Sequence, residues 1–387
     1  MIEFQKAYQT KKSFTYIKDC LEQQYLSSDG LYTKKCYDWL SNKLNVKDIL
    51  MTTSCTHALE LALQCISLTC DDEVIVPSFT YPSTANAVLM AGGKVVFSQV
   101  LRKDLTLDPA LIEEKITANT KAIIVVHYGG QVCAMTEIMA IAKAHNLYVI
   151  EDSAQSFLST YKGEMAGTIG DFGCYSFHGT KDVVAGEGGA LVINNQVHKE
   201  ACEIFRNKGT NREAFLRNEV DFYEWVGKGS SYGPSDILMA LLFSQLEVSE
   251  TIIRLRQVIR ARYVDHFTSK AYGLLETYSQ VHSEVINNGH MFYMIFKDPL
   301  QGQAFRAYMK DRGIMVYTHF VPLHSSQYGS QYCRDKDVFD LEKDLGKRLV
   351  RLPLYPDLSE DEQREILACV DEFMVEVSND FSGDSYL

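Results

Sequence analysis

From residue 46 to residue 152 the chain alternates short apolar runs with segments of helical character. Glu73–Pro77 (EVIVP), residues 94–100 (KVVFSQV), residues 121–127 (KAIIVVH) and residues 147–150 (LYVI) are strand-like. Helix-forming segments follow Thr56 and occupy residues 85–91 and 135–146. Apolar runs of this kind mark strands buried on both faces, and intervening helices are what joins parallel neighbours. The pattern predicts an α/β architecture, with a mostly parallel central sheet and helices on both faces. Ligands of such sheets bind beyond the carboxyl ends of the strands. Four polar features fall at such ends: the run Thr52-Thr53-Ser54-Cys55-Thr56, the loop around Tyr81, His127, and Asp152.

A second stretch, residues 173–194 (GCYSFHGTKDVVAGEGGALVIN), reads as strand, loop and strand, with Lys181 in the glycine-rich loop. A lone lysine in a loop is ordinarily a solvated surface group. Between two core strands, desolvation lowers the pKa of an amine and makes it a nucleophile toward aldehydes. The other strand-end features then fit one ligand. Asp152 can pair with a protonated ring nitrogen, and Tyr81 can stack on a ring. Ser54 and Thr56, at a helix start, can hold a phosphate. Aldehyde, pyridinium, ring face and phosphate are the four demands of pyridoxal 5′-phosphate.

The rest of the chain is less specific. Residues 33–44 fit an amphipathic helix within a polar N-terminal segment, residues 1–45. Residues 236–267 form one long apolar-striped helix, possible to kink, after a polar insert at 209–235. Turn-rich sequence around residues 272–288 suggests a boundary near 275. This gives a large cofactor-binding domain, 1–275, and a smaller α+β C-terminal domain, 276–387. In the latter, residues 290–296 and 313–317 are strand-like and residues 301–312 and 359–377 helical, with a tail beyond. The net charge of −12 and the lack of a basic cluster argue against nucleic acid. No apolar run is long enough for a membrane span. The N-terminus has no apolar signal core. Ten cysteines without metal-ligand spacing point to a reducing cytoplasm and no structural metal.

The motifs SSDGLYTKKCYDWL, TTSCTHALELA, PSFTYPSTANA, VVHYGG, VIEDSAQS, GCYSFHGTKDVVAGEGGALVIN, RNKGTNR, GSSYGPSDILMALLFSQL and THFVPLH run through almost the whole chain. In this order they resemble the fold-type I, aspartate aminotransferase-like enzymes, and within them the nucleotide-sugar aminotransferases. The SFHxTK and SCTxxLE forms are similar to those of members that make dTDP-4-amino-4,6-dideoxygalactose. The resemblance implies a PLP-dependent transferase fold and a homodimer with shared active sites. It further implies transfer of an amino group from L-glutamate to dTDP-4-keto-6-deoxy-D-glucose by a ping-pong mechanism, in cell-surface glycan biosynthesis such as O-antigen or enterobacterial common antigen. It makes Lys181 the lysine that joins the cofactor aldehyde and later shuttles a proton. It places Asp152 on the pyridinium nitrogen, Gln155 by the phenolic oxygen, Tyr81 on the ring, and Ser54, Cys55, Thr56 and Ser176 at the phosphate. Asp29, Gly30, Thr33, His319 and His324 fall in segments that approach the sugar nucleotide. In many relatives the asparagine of a GYNYR motif reaches a neighbouring subunit's phosphate. Here the segment reads Gly229-Ser230-Ser231-Tyr232-Gly233, so Ser231 stands in that place.

Other readings have distinguishing marks. A 4-amino-4,6-dideoxyglucose-forming enzyme, or another 3- or 4-keto nucleotide-sugar aminotransferase, would differ only in substrate and product. Sugar dehydratases of this fold carry histidine in place of the lysine, whereas Lys181 is present. A non-catalytic PLP-fold sensor carries a DNA-binding module, and no helix-turn-helix or basic arm is visible. A dinucleotide-binding dehydrogenase would carry GxGxxG after the first strand, which is missing.

Overall fold

The computed structural model describes residues 1–334 and 337–381, with side chains to residue 376. The strands, in chain order, are β1 (Ile49–Thr52), β2 (Glu73–Pro77), β3 (Lys94–Ser98), β4 (Thr120–Val126), β5 (Tyr148–Asp152), β6 (Thr160–Tyr161), β7 (Glu164–Met165), β8 (Phe172–Ser176), β9 (Gly189–Ile193), β10 (Leu275–Tyr278), β11 (Val285–Ile286), β12 (Tyr293–Phe296) and β13 (Leu349–Arg351). The central sheet has seven strands in the order β1-β9-β8-β5-β4-β2-β3. From β3 to β8 every pairing is parallel, and β9 runs antiparallel to both β8 and β1. The β8–loop–β9 hairpin is thus the one place where the chain turns straight back at the carboxyl end of a central strand, and Lys181 lies on that turn.

Alternation along the strands assigns side chains to two layers. Val74, Val76, Val95, Phe97, Ala122, Ile124 and Ile150 pack under the helices Cys55–Cys65 and Pro82–Met90. On the opposite face Ile75, Val96, Ile123, Val125 and Val149 meet Ile138 and Ala142 of the helix Met135–His145. Tyr175, Ala190 and Val192 on that same side meet the helices Leu31–Leu44 and Asp236–Leu246. A second, antiparallel sheet, β10-β12-β13, forms its own apolar cluster with the helices Ser249–Thr268, Pro299–Asp311 and Glu360–Phe381. The N-terminus joins this cluster: Ile2 is buried in it, and its N–H donates to the Gly313 carbonyl at 2.8 Å. Among the described residues no helix is long and apolar enough to cross a membrane.

Three expected elements differ. The helix expected over residues 236–267 is two, Asp236–Leu246 and Ser249–Thr268. Val248 leaves helical dihedrals (φ −118°, ψ 10°), and the Ser249 hydroxyl donates to the Leu246 carbonyl at 2.8 Å. The apolar stripe continues across this break, so periodicity does not register it. Residues 313–317 form only isolated bridges, Ile314 to Ile2 and Tyr317 to Arg351. The last helix runs through Phe381 into the expected tail, whose remaining residues, 382–387, lie outside the described residues.

Candidate active site

A cavity of about 700 Å³ opens at the carboxyl ends of the central strands. Ser54, Cys55, Thr56, Tyr81, Asp152, Gln155, Ser176, Lys181 and His319 all line it. One wall is built by two helix starts. Ser54 caps the helix Cys55–Cys65, its hydroxyl accepting from the His57 N–H at 3.2 Å. Tyr81 precedes the helix Pro82–Met90, whose proline needs no N–H partner at the first turn. Thr56 and Ser83, one from each helix, share a hydrogen bond of 2.7 Å. Two helix N-termini and the hydroxyls of Thr56, Ser83 and Ser176 face the same space, an arrangement suited to an anion. Close approach of β9 to this wall depends on Gly189, where an added Cβ would lie 2.4 Å from the Ser54 carbonyl carbon.

Asp152 ends β5 and is buried. Its Oδ2 accepts from the Thr84 hydroxyl at 2.9 Å and its Oδ1 from the Ala154 N–H at 3.2 Å. Burial pushes its carboxyl up, and the Ala154 N–H, Thr84 and the Lys181 charge only partly offset this. Burial also pulls the Lys181 amine down, against the opposing pull of Cys55, Asp152 and Asp182. An amine with a depressed pKa and a buried acid thus share one enclosure, the usual mark of a chemical site. Gln155 is oriented by the Gly129 N–H, which donates to its Oε1 at 2.7 Å, so its amide N–H group is left for the cavity. Tyr81 is 59 % exposed and forms a rim, its ring centroid 5.9 Å from that of Phe320. His319 bonds the Tyr128 hydroxyl through Nδ1 at 2.6 Å, and burial holds it well below the ordinary histidine range, hence neutral.

Asp29, Gly30, Thr33, Ser231 and His324 do not line this cavity in the single chain. Asp29 sits in a separate depression with Arg206 (2.8 Å) and Arg212 (2.9 Å). Burial pushes its carboxyl up, but the two arginines outweigh that and the net shift is downward. Thr33 donates its hydroxyl to Asp236 at 2.7 Å, and Asp236 also accepts from the Tyr32 and Thr33 N–H groups, capping the helix Leu31–Leu44 from outside. Gly30 admits that carboxylate, since a Cβ there would lie 2.5 Å from it. Ser231 is exposed and bridges Asn207. His324 bonds the Ser78 hydroxyl and stacks on Phe339 at 4.2 Å. His127, read as a strand-end candidate, turns inward: it is fully buried, 2.8 Å from Glu151, and Glu151 is itself held by the N–H groups of Gly167, Ile169 and Gly170.

Sequence reasoning did not single out Asp182, His290 or Arg351. Asp182 follows the lysine and is clamped by Arg256 (2.7 Å), His290 (3.0 Å) and the Asn288 amide (2.9 Å). Burial raises its carboxyl, but His290 and Arg256 outweigh it and the net shift is downward. Asp182→Ala strands Arg256 in the interior, and a loss of about 3–5 kcal/mol is expected in urea unfolding at neutral pH. Because the folded pKa is the lower one, this stabilisation is complete above the unfolded carboxyl value of about 4 and fades as pH falls below it. The gap between wild type and variant should therefore narrow in acid; a gap unchanged down to pH ~3 would contradict the assignment.

The DegT/DnrJ/EryC1/StrS aminotransferase family matches residues 7–371. The chain is 31 % identical over 368 residues to GDP-perosamine synthase of Escherichia coli O157:H7, covering 94 % of this chain and 96 % of that protein. It is 29 % identical over 318 residues to dTDP-3-amino-3,6-dideoxy-alpha-D-galactopyranose transaminase of Aneurinibacillus thermoaerophilus, covering 82 % and 83 % of the two. In fold it is similar to Spr1654 of Streptococcus pneumoniae in its PLP form, with a TM-score of 0.88 at 24 % identity over 97 % of this chain and 99 % of that one. Helicobacter pylori PseC, an aminotransferase involved in the biosynthesis of pseudoaminic acid, superposes with a TM-score of 0.87 at 22 % identity, covering 97 % and 99 %. With family likeness from residue 7 to residue 371, and a lysine and a buried carboxyl sharing one cavity, the chain belongs to the DegT/DnrJ/EryC1/StrS family and is a pyridoxal-phosphate-dependent nucleotide-sugar aminotransferase.

Proposed function

We propose that the enzyme transfers the amino group of L-glutamate to C4 of dTDP-4-keto-6-deoxy-D-glucose, giving dTDP-4-amino-4,6-dideoxy-D-galactose for a cell-surface glycan. The observation that carries the reaction class is the enclosure of Lys181 and Asp152 in one cavity beside the hydroxyl-lined wall. The donor set fits pyridoxal phosphate: an amine for its aldehyde, a buried carboxyl for its ring nitrogen, two helix starts for its phosphate. When bound, the cofactor supplies an electron sink for the carbon that loses a proton.

The chain's own residues do the rest. Asp152, held by Thr84 and Ala154, would keep a proton on the ring nitrogen. The Gln155 amide donates toward the phenolic oxygen. Tyr81 would cover one ring face, and Thr56, Ser83 and Ser176, with the N–H groups after Ser54, would hold the phosphate. Cys55, at the helix start and buried, contributes its N–H rather than its thiol, which burial keeps protonated. Lys181 Nζ, once freed, would be the base that takes the proton from the substrate carbon and holds it for return. His319 stands on the sugar side.

Homodimerisation completes this reading. Ser231, Asp29, Thr33 and His324 then act at a neighbouring copy's cavity or at its approach. The polar insert at 209–235 exposes Phe222 (74 %) and Trp225 (81 %), which supply a contact surface. The division near residue 275 is part of the same proposal, supported by the separate apolar cluster around β10, β12 and β13. A cytoplasmic setting accords with ten free cysteines and a nucleotide-linked substrate.

The similarity to GDP-perosamine synthases favours a second reading, a GDP-linked keto-sugar. Turnover with a panel of dTDP-, UDP- and GDP-linked 3- and 4-keto-6-deoxy sugars separates the two. The first reading expects the dTDP 4-keto sugar to give the highest kcat/KM and an axial 4-amine by NMR. A preference for the GDP-linked sugar would replace it with the second.

A further inference from the structure

His290 lies between β11 and β12, and its side chain lines the Lys181 cavity. Every polar atom of the residue but one is engaged. Its N–H donates to the Asn288 side-chain carbonyl at 3.0 Å, and its carbonyl accepts from Arg256 Nη2 at 2.7 Å. Nδ1 lies 3.0 and 3.1 Å from the two carboxylate oxygens of Asp182. Against burial, His290 and Arg256 hold the Asp182 carboxyl down, so it is ionised and can only accept. The ring proton therefore sits on Nδ1, and Nε2 of the neutral ring carries a lone pair. Among the described residues Nε2 has no partner, and the side chain keeps 8 % of its surface exposed where it lines the cavity. Asp182 is the residue after Lys181, so the turn that presents the amine also orients this lone pair. An acceptor held this firmly and left unpaired is suited to a donor that enters from outside.

We propose that His290, backed by Asp182, is the base that takes from the ammonium of the amino donor the proton it must shed before its nitrogen can react. The inference rests on the aminotransferase reading above. An amino acid arrives with no lone pair on its nitrogen. One N–H bond must break, its electron pair staying on the nitrogen, before that nitrogen can bond to carbon. The proton forms a new N–H bond on Nε2, the imidazolium charge faces the Asp182 carboxylate through Nδ1–H, and the proton then leaves to solvent through the cavity mouth. Other bases in the cavity are committed elsewhere. Asp152 is held by Thr84 and Ala154, and His319 is bonded to Tyr128 through Nδ1 and stacked on Phe320 at 3.6 Å. The charged and titratable groups around His290 are Asp182 and Lys181 on the turn, Arg256 from the helix Ser249–Thr268, and His319 and Arg351 on the cavity wall. Burial pulls the basicity of His290 down, Asp182 opposes this, and the Lys181 and Arg256 charges add to burial. The net shift is downward, so at neutral pH the ring is uncharged and able to receive a proton.

The test follows the bleaching of the visible band by L-glutamate in the cofactor-loaded enzyme, wild type against His290→Gln, between about pH 7 and pH 9. Glutamine can still donate to Asp182 but cannot take up a proton. The variant should bleach about 10²–10³-fold more slowly near pH 7, because only donor molecules already deprotonated in solution react. That fraction grows about tenfold per pH unit, so the ratio of wild-type to variant rate should fall by about the same factor per unit. Added imidazole should restore part of the variant's rate. Calorimetric titration with glutarate, which has no amine, should give equal affinities in the two proteins. A slower variant whose ratio to wild type stays constant with pH, and which imidazole does not rescue, would overturn the proposal and leave His290 a structural role. Unchanged bleaching would overturn it outright. A loss confined to the return of the band with keto-sugar would also overturn it, and would make His290 a ligand of a sugar hydroxyl. If His290→Gln fails to fold, His290→Asn decides between the same outcomes. A wild-type protein with no visible band would instead be a failure of the aminotransferase reading.

Discussion

Lys181→Ala is expected to lower amino transfer by at least about 10³–10⁴-fold, since it removes the nucleophile and the proton carrier in one step. The fold should survive. Lys181 stands on the turn between β8 and β9, and its side chain opens on the cavity rather than packing in a core cluster. The turn is held by other contacts: the Phe177 and Gly179 N–H groups donate to Gly188 and Gly186, both at 2.8 Å, and Asp182 anchors its far side. Borohydride treatment followed by mass analysis should attach the cofactor to wild type at Lys181 and leave the variant unmodified. Wild-type labelling at another lysine, or undiminished turnover by the variant, would remove Lys181 from the centre of the site.

Asp152→Asn is expected to reduce kcat by about 10²–10³-fold with little change in KM. The substitution keeps the shape and the contact with Thr84 but removes the charge that keeps a proton on the ring nitrogen. The effect is on a bond made during reaction rather than on substrate binding, so it belongs in kcat. Because burial raises the Asp152 carboxyl before the cofactor enters, cofactor binding should also be more sensitive to acid in the wild type than in the variant. A variant that loses only substrate affinity would move Asp152 out of contact with the ring.

The mostly parallel character of the central sheet and the strand ends at which a ligand would bind were legible because both depend on local pattern. Strand runs such as residues 121–127 carry period and length together, and the glycines around Lys181 break the chain where a turn must be. What pattern does not carry is the direction in which a strand-end side chain turns. His127 and Asp152 stand at adjacent strand ends and look alike in sequence. Glu151 draws His127 inward, while Thr84 and the Ala154 N–H hold Asp152 at the cavity. Nor does pattern carry contacts between distant segments. Arg351 reaches the lysine only because the second sheet and the N-terminal Phe4 fold over the opening. Asp182 reads as an ordinary loop charge until Arg256, Asn288 and His290 are brought to it across more than 70 residues. Asp29, Thr33, Ser231 and His324 lie off the cavity of one chain; their assignment stands on the likeness of motifs and on the second copy that the proposal requires.

The most direct measurement of the central claim is the visible absorption spectrum of the purified enzyme with pyridoxal phosphate, before and after L-glutamate. The account predicts a yellow protein that bleaches with glutamate and regains its band when the keto-sugar is added. A protein that stays colourless with excess cofactor would contradict it, because Lys181 and Asp152 would then not form the cofactor site described.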